Sequence, residues 1–322
     1  MDIEELLHIY SSARKQFEEL TLERVDLNGK ALPGIFLLRS SVRRSSLQGI
    51  DLSESDLYKT EFKLCSLARA NLRKARLRRA RIQDVDLTEA DLRGADLTGS
   101  VLASTNLYIA NFSEALLANA FLKGCHLRET NFHKADLYKA NLSRSDATGA
   151  NFTEATLKRT NLSESNLYQA NLVKASAPYV NLTEAKLGEA NLIEANLTGA
   201  MLTGANLSGA NLSQAMLVEA NLNAVDLSMA TLNGTKLLGA NLGGADLDGA
   251  DLSNANLSGA NLSLANLDGA KYRNTVMPDG SIRSDSPVEL PELASPLIIP
   301  TNPKSNRAHT KVDELLERFG SG

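Results

Sequence analysis

The residues that could ligate a metal or move a proton are few. Four histidines, His8, His126, His133 and His309, and two cysteines, Cys65 and Cys125, supply the nitrogen and sulfur donors. Cys125 and His126 are adjacent, and neighbours in an extended chain face opposite ways, so they cannot share one ion. The sequence has no glycine loop ending in Lys-Ser/Thr, no His-Glu-x-x-His and no Cys-x-x-Cys pair. No catalytic residue, metal ligand or cofactor is therefore assigned, and an enzyme is not expected.

The second kind of chemistry is charge recognition. Arg69, Arg73, Lys74, Arg76, Arg78, Arg79 and Arg81 form a dense basic run. Residues 39–81 carry 12 Lys/Arg against 4 Asp/Glu, whereas 180–272 carry 3 against 9. Such a run is either a solvated, partly paired surface or a site for an anionic partner. Asp226, Asp246, Asp248 and Asp268 make a smaller acidic patch.

The elements that would hold these residues follow from one spacing. Every fifth position from Leu22 to Tyr272 gives 51 positions, of which 42 are Leu and the rest Val, Phe, Ile, Ala or Tyr. Two residues before each stands a small residue, mostly Ala, and between them commonly Asn or Asp, as in Ala140-Asn141-Leu142. A period of five is neither 2 nor 3.6, so an α-helix would scatter the leucines around its circumference. Asn, Asp and Gly favour turns, so the pattern predicts short extended pieces with Leu and the small residue inward and Asn/Asp outward.

This A(D/N)Lxx pattern resembles the pentapeptide-repeat family. The resemblance implies an all-β solenoid, a right-handed quadrilateral β-helix with four pentapeptides per coil. It also implies two functions without catalysis: a protein-interaction scaffold, or a DNA-mimicking regulator of a type II topoisomerase. The second needs a strongly acidic rod, and residues 22–272 hold 26 acidic and 26 basic side chains. The scaffold is therefore preferred. A protein is the expected partner, with nucleic acid less favoured.

With 20 residues per coil, residues 20 apart stack. Phe112, Phe132 and Phe152 then form one interior column. Cys65 and Cys125 share a column several coils apart, too far for a disulfide, and should stay reduced. Outward Glu54, Lys74, Glu114, Lys134, Glu154, Lys174 and Glu194 alternate in sign as a register-keeping ladder, and Asn111 to Asn211 form an Asn column. Val101 and Phe121 replace the usual outward Asn/Asp and stack, with Tyr108, Ile109 and Leu116 in the same coils, which marks a candidate contact surface. The run Gly243 to Asp251 is similar to a calcium-binding nonapeptide, but the five-residue register passes through it unbroken.

The ends complete the expected layout. Residues 1–21 should form an amphipathic helix capping the stack, 22–272 the β-helix, 273–309 a Pro-rich irregular linker, and 310–322 a short helix and tail. Ser176-Ala177-Pro178 is expected to interrupt the coil, because proline cannot donate a ladder hydrogen bond. No apolar stretch is long enough to span a membrane, and the acidic N-terminus is unlike a signal peptide, which places the chain in the cytoplasm. A monomer is expected.

Overall fold

The computed structural model describes residues 3–12 and 15–285. The expected C-terminal helix at 310–319 lies outside the described residues. One helix, α1 (Ile3–Ser11), precedes strands β1 (Gln16–Glu18), β2 (Thr21–Glu23), β3 (Phe36–Leu38), β4 (Ser41–Arg43), β5 (Glu61–Lys63), β6 (Arg81–Gln83), β7 (Thr275–Val276) and β8 (Ile282–Arg283). β1 pairs with β3, and β2, β4, β5 and β6 form a parallel ladder. Beyond β6 the ladder continues as single parallel bridges at 20-residue steps as far as Asn256↔Val276. The chain is thus a right-handed quadrilateral β-helix of 20-residue coils, with five residues to a side.

Each pentapeptide has the same internal logic. From Leu22 to Leu257 every central residue is buried, and these side chains fill the rod. After the centre the chain turns: the Ala70 N–H donates to the Leu67 carbonyl at 3.0 Å, closing a β-turn. The second residue after the centre takes a left-handed conformation, with φ of 55° at Lys74 and 61° at Glu114.

Numbering sides by their central residues, the first holds Leu22 and its successors, the second Leu27, the third Leu32 and the fourth Leu37. Phe112, Phe132 and Phe152 stack on the third side with ring centroids 5.2 and 5.0 Å apart, as the spacing predicts. Such ring pairs add about 0.5–1.5 kcal/mol each beyond burial. Where the small inward residue is Thr or Cys, it donates to a carbonyl 23 residues earlier: Thr130 Oγ1 to Leu107 O at 2.9 Å, Cys125 Sγ to Leu102 O at 2.8 Å. Both cysteines are free and buried.

The outward Asn/Asp has a local task as well as a column to stand in. Outside the regular strands, the residue just after a centre has an N–H outside the coil-to-coil ladder, and where Asn or Asp stands two residues before it, that side chain accepts the N–H. Asn151 Oδ1 takes it from Thr153 at 3.0 Å, and Asp96 Oδ1 from Thr98 at 3.0 Å. Direct Asn-to-Asn contacts between coils also occur, as from Asn151 Nδ2 to Asn131 Oδ1 at 3.0 Å.

That slot explains why the interruption expected at Ser176-Ala177-Pro178 is absent. Pro178 stands just after a centre, where the ladder asks for no donor. Ala177, Tyr179 and Val180 keep their bonds, to Asn196 O at 2.8 Å, Thr198 O at 2.9 Å and Ala177 O at 3.3 Å, and the Pro178 carbonyl accepts Arg159 N–H at 3.1 Å. Pro33 and Pro278 occupy the same slot.

Both ends depart from the expected boundaries. The helix stops at Ser11, and by Gln16 the chain is already paired with Phe36, so Phe17 fills a central position of the rod and not a helix face. Phe17 obeys the five-residue phase, five before Leu22, and that outweighs its helical spacing from Leu6 and Tyr10. α1 still seats on the first coil: Leu6 is buried, and Tyr10 Oη donates to Pro33 O at 2.8 Å. At the other end, the pattern runs past Tyr272: Thr275 is inward and buried, and Pro278 O accepts Gly259 N–H at 2.9 Å. The chain then turns back as the antiparallel pair β7–β8, so the first part of the expected linker is ordered β structure.

Candidate interaction surface

The basic run is spread over all four sides of one coil by the four-sided winding. Most of it is balanced by neighbouring coils. Arg69 Nε lies 3.0 Å from Glu89, Arg73 Nε 4.0 Å from Asp91, Arg76 Nη1 3.8 Å from Asp56 and Arg78 Nε 3.6 Å from Asp96. Lys74, Arg79 and Arg81 have no carboxylate within 4 Å among the described residues. Asp56, Tyr58, Arg76, Arg78, Arg79 and Asp96 line a shallow groove of about 530 Å³ on the fourth side. Within the groove Arg79 is unpaired beside the Arg76–Asp56 and Arg78–Asp96 pairs, while Lys74 and Arg81 are the unpaired members on the third and first sides. Exposed pairs of this kind contribute at most about 1 kcal/mol each.

The alternating ladder is present in part. Lys134 pairs with Glu154 at 3.6 Å and Lys174 with Glu194 at 3.7 Å, both on the third side. On the first side, Glu61 receives Arg43 at 2.7 Å, and this hydrogen bond holds its carboxyl below the usual carboxylate range.

Val101 and Phe121 do stack, as bridge partners on the first side. Their expected companions separate: Leu116 lies on the fourth side, and Tyr108 and Ile109 on the corner leaving the second. Sequence reasoning missed a second apolar group at Met201, Met216, Val218, Leu238 and Tyr179. Its signal was available, because Val218 and Leu238 are 20 apart, and Met201 and Met216 stand in the Asn/Asp slot. Tyr179, 54% exposed, lies across Gly199. A Cβ there would come within 2.6 Å of the ring, so any other residue at that corner has to displace Tyr179.

Taken together, every Val, Leu, Met or Phe in the Asn/Asp slot between coils 41 and 261 falls on the first or fourth side: Val101, Leu116, Phe121, Met201 and Met216. The second and third sides keep polar residues there. Among the described residues no His/Cys/Asp/Glu group is placed to hold a metal, and no helix is long and apolar enough to cross a membrane. The Gly243–Asp251 run is regular coil, with Asp246 Oδ1 accepting Asp248 N–H at 3.0 Å.

A stacked four-sided coil with a five-residue register defines the class of protein. The family model described as pentapeptide repeats matches the chain in eight copies, over residues 45–84, 80–108, 110–146, 148–176, 179–214, 202–239, 215–254 and 237–274. The chain belongs to the pentapeptide-repeat family.

Among solved structures it is similar to HetL, a pentapeptide repeat protein involved in heterocyst differentiation regulation from the cyanobacterium Nostoc sp. Strain PCC 7120. The two are 31% identical over 88% of this chain and 100% of that one, with a TM-score of 0.28. Rfr23 from the cyanobacterium Cyanothece 51142 is 38% identical over 28% of this chain and 58% of its own, TM-score 0.24. QnrB1, a plasmid-mediated fluoroquinolone resistance protein, is 21% identical over 62% and 92%, TM-score 0.36. No curated protein sequence matches.

Proposed function

We propose that the chain is a non-catalytic scaffold that docks a protein partner against its rod, working as a monomer in the cytoplasm. One observation carries this reading: apolar side chains take the solvent-facing Asn/Asp slot on two adjacent sides only. Each such replacement gives up the hydrogen bond that Asn or Asp would make to the following turn, about 0.5–1.5 kcal/mol, and exposes apolar surface. Stacking between neighbouring coils, as of Val101 on Phe121, returns only about 0.2–1 kcal/mol of that loss, whereas a partner that buries the side chains offsets the rest. The concavities among the described residues, such as the groove around Arg76, Arg78 and Arg79, are shallow and open, which argues against catalysis.

Affinity capture from native lysate tests it, with the full chain beside Val101→Asn/Phe121→Asn. The expected result is a discrete co-purifying protein lost with the double variant. Identical captures by both chains would remove the reading.

A second reading, regulation of a type II topoisomerase by a DNA-like surface, draws on the acidic group Asp226, Asp246, Asp248 and Asp268 of the second side, in which Asp226 and Asp246 are bridge partners. The even balance of charge over the whole rod weighs against it. A gyrase supercoiling assay separates the two, and no inhibition by the purified chain is expected.

A further inference from the structure

The balanced charge of the rod conceals a transverse separation. Outward positions of the second side are residues 26, 28, 29 and their successors at 20-residue steps. Up to residue 269 they hold three Lys/Arg against ten Asp/Glu. The fourth side, residues 36, 38, 39 and successors, holds nine Lys/Arg against four Asp/Glu up to residue 259. In a four-sided coil these two sides are opposite, so the rod has an acidic flank and, across its core, a basic one.

The basic flank keeps cations that no carboxylate balances. Arg79, Lys158 and Arg159 have no carboxylate within 4 Å among the described residues. Lys59 and Lys139 rest instead over the rings of Tyr58 and Tyr138, at 5.3 and 5.2 Å from the centroids. The same side turns apolar toward the C-terminal coils, where Pro178, Val218 and Leu238 stack at 20- or 40-residue steps beside Met216. Leu238 is 49% exposed and Met216 36%. Charge and apolar exposure thus share one side, with eight of its nine Lys/Arg before residue 160 and the stretch from Pro178 to Leu238 after them; exposed Leu116 and Lys236 fall outside that order.

We infer that the fourth side is the docking side, and that it receives an acidic protein segment whose carboxylates meet Arg76, Arg78 and Arg79 and whose apolar side chains meet Met216 and Leu238. The inference rests on the scaffold reading and specifies its partner chemistry. A protein segment fits better than nucleic acid because Asp56, Asp96 and Asp136 stand along the same side. Discrete carboxylates on a peptide can be spaced to avoid them, while a continuous phosphate line meets each one.

The test uses the full chain and three fluorescent probes at low ionic strength. The first is a synthetic peptide with a Glu/Asp-rich half and a Leu/Phe-bearing half, the second an all-acidic peptide of equal length, the third single-stranded oligo-dT. The two-part peptide should bind tightest. Arg76→Gln/Arg78→Gln/Arg79→Gln should weaken it by roughly ten-fold and Met216→Ser/Leu238→Ser by a few-fold. Asp246→Asn/Asp248→Asn on the opposite flank should leave it unchanged. Equal affinity of the arginine variant and the parent would overturn the proposal, and so would tighter binding of oligo-dT, which would give the side to nucleic acid. A native partner that is lost with Val101→Asn/Phe121→Asn but kept by the arginine variant would leave the scaffold standing and place docking elsewhere.

Discussion

Pro178 occupies the position whose N–H is elsewhere donated to an Asn or Asp two residues earlier, and Ser176 stands where that acceptor would be. The two substitutions belong together. Without a donor at 178 there is nothing for an Asn at 176 to hold, and Pro33 after Ala31 and Pro278 after Val276 repeat the pairing.

The rule makes a prediction about proline tolerance. Lys158 lies just after a centre and follows Thr156, and its N–H makes no hydrogen bond within the described residues. Lys158→Pro should therefore keep the fold and stabilise it by about 0–1 kcal/mol, through the unfolded chain. Thr153→Pro removes the donor that Asn151 accepts at 3.0 Å and should cost about 0.5–1.5 kcal/mol. Urea denaturation of the two variants reads the difference, and equal costs would sever the link between slot and acceptor.

Core truncation should act locally. Leu72 and Leu197 are each 1% exposed or less, and replacing either by Ala empties one side of a packed layer, at about 2–5 kcal/mol. Because coils touch only their neighbours, amide exchange should quicken within a coil or two of the change and stay slow elsewhere. Uniform quickening along the rod would contradict nearest-neighbour coupling.

What was legible in the sequence was whatever the five-residue phase alone decides. Leu22 to Leu257 point inward, the three phenylalanines stack, and Val101 meets Phe121, because a constant register turns linear spacing into columns. Phe17 was misplaced because its distance from Leu6 and Tyr10 satisfies a helix while its distance from Leu22 satisfies the rod, and only the pairing of Gln16 with Phe36 decides between them. The flank charges were hidden by summing along the chain: Asp246 and Arg76 belong to opposite ends, and they also belong to opposite sides.

Cys125 gives a pH dependence with a definite sign. Burial pushes its thiol from the ordinary 9.0 up to about 12. The folded chain therefore holds this proton where the unfolded chain releases it. The associated stability is fully present below about pH 9 and is lost as pH rises toward about 12, at about 1.4 kcal/mol per pH unit. Cys125→Thr keeps the inward donor in the manner of Thr130 and should flatten that part of the profile relative to the parent. Parallel profiles for the two chains between pH 9 and 11 would show that the thiol does not contribute. The folded parent should also resist alkylation at this position.

The last prediction concerns the C-terminal end of the stack. An uncovered coil presents apolar side chains and unpaired strand groups, and both invite another chain to add on. Here the segment after Tyr272 covers part of that end. Tyr272 N–H donates to Asp285 Oδ2 at 2.7 Å, Asp285 N–H returns to Tyr272 O at 3.0 Å, and the Arg283 guanidinium lies 3.6 Å from the centre of the Tyr272 ring. Tyr272 is only 4% exposed as a result. A chain ending at Asn274 loses all three contacts, and with them β7, β8 and the buried Thr275 hydroxyl bond to Leu252 O at 2.7 Å. Covering the end within one chain avoids the entropy of association. Light scattering is therefore expected to find the full chain monomeric and the truncated chain dimeric or larger. A truncated chain that stays monomeric at the same concentration would show that the segment is not needed to protect the end. A full-length dimer that falls apart on truncation would show that it joins chains instead of covering one.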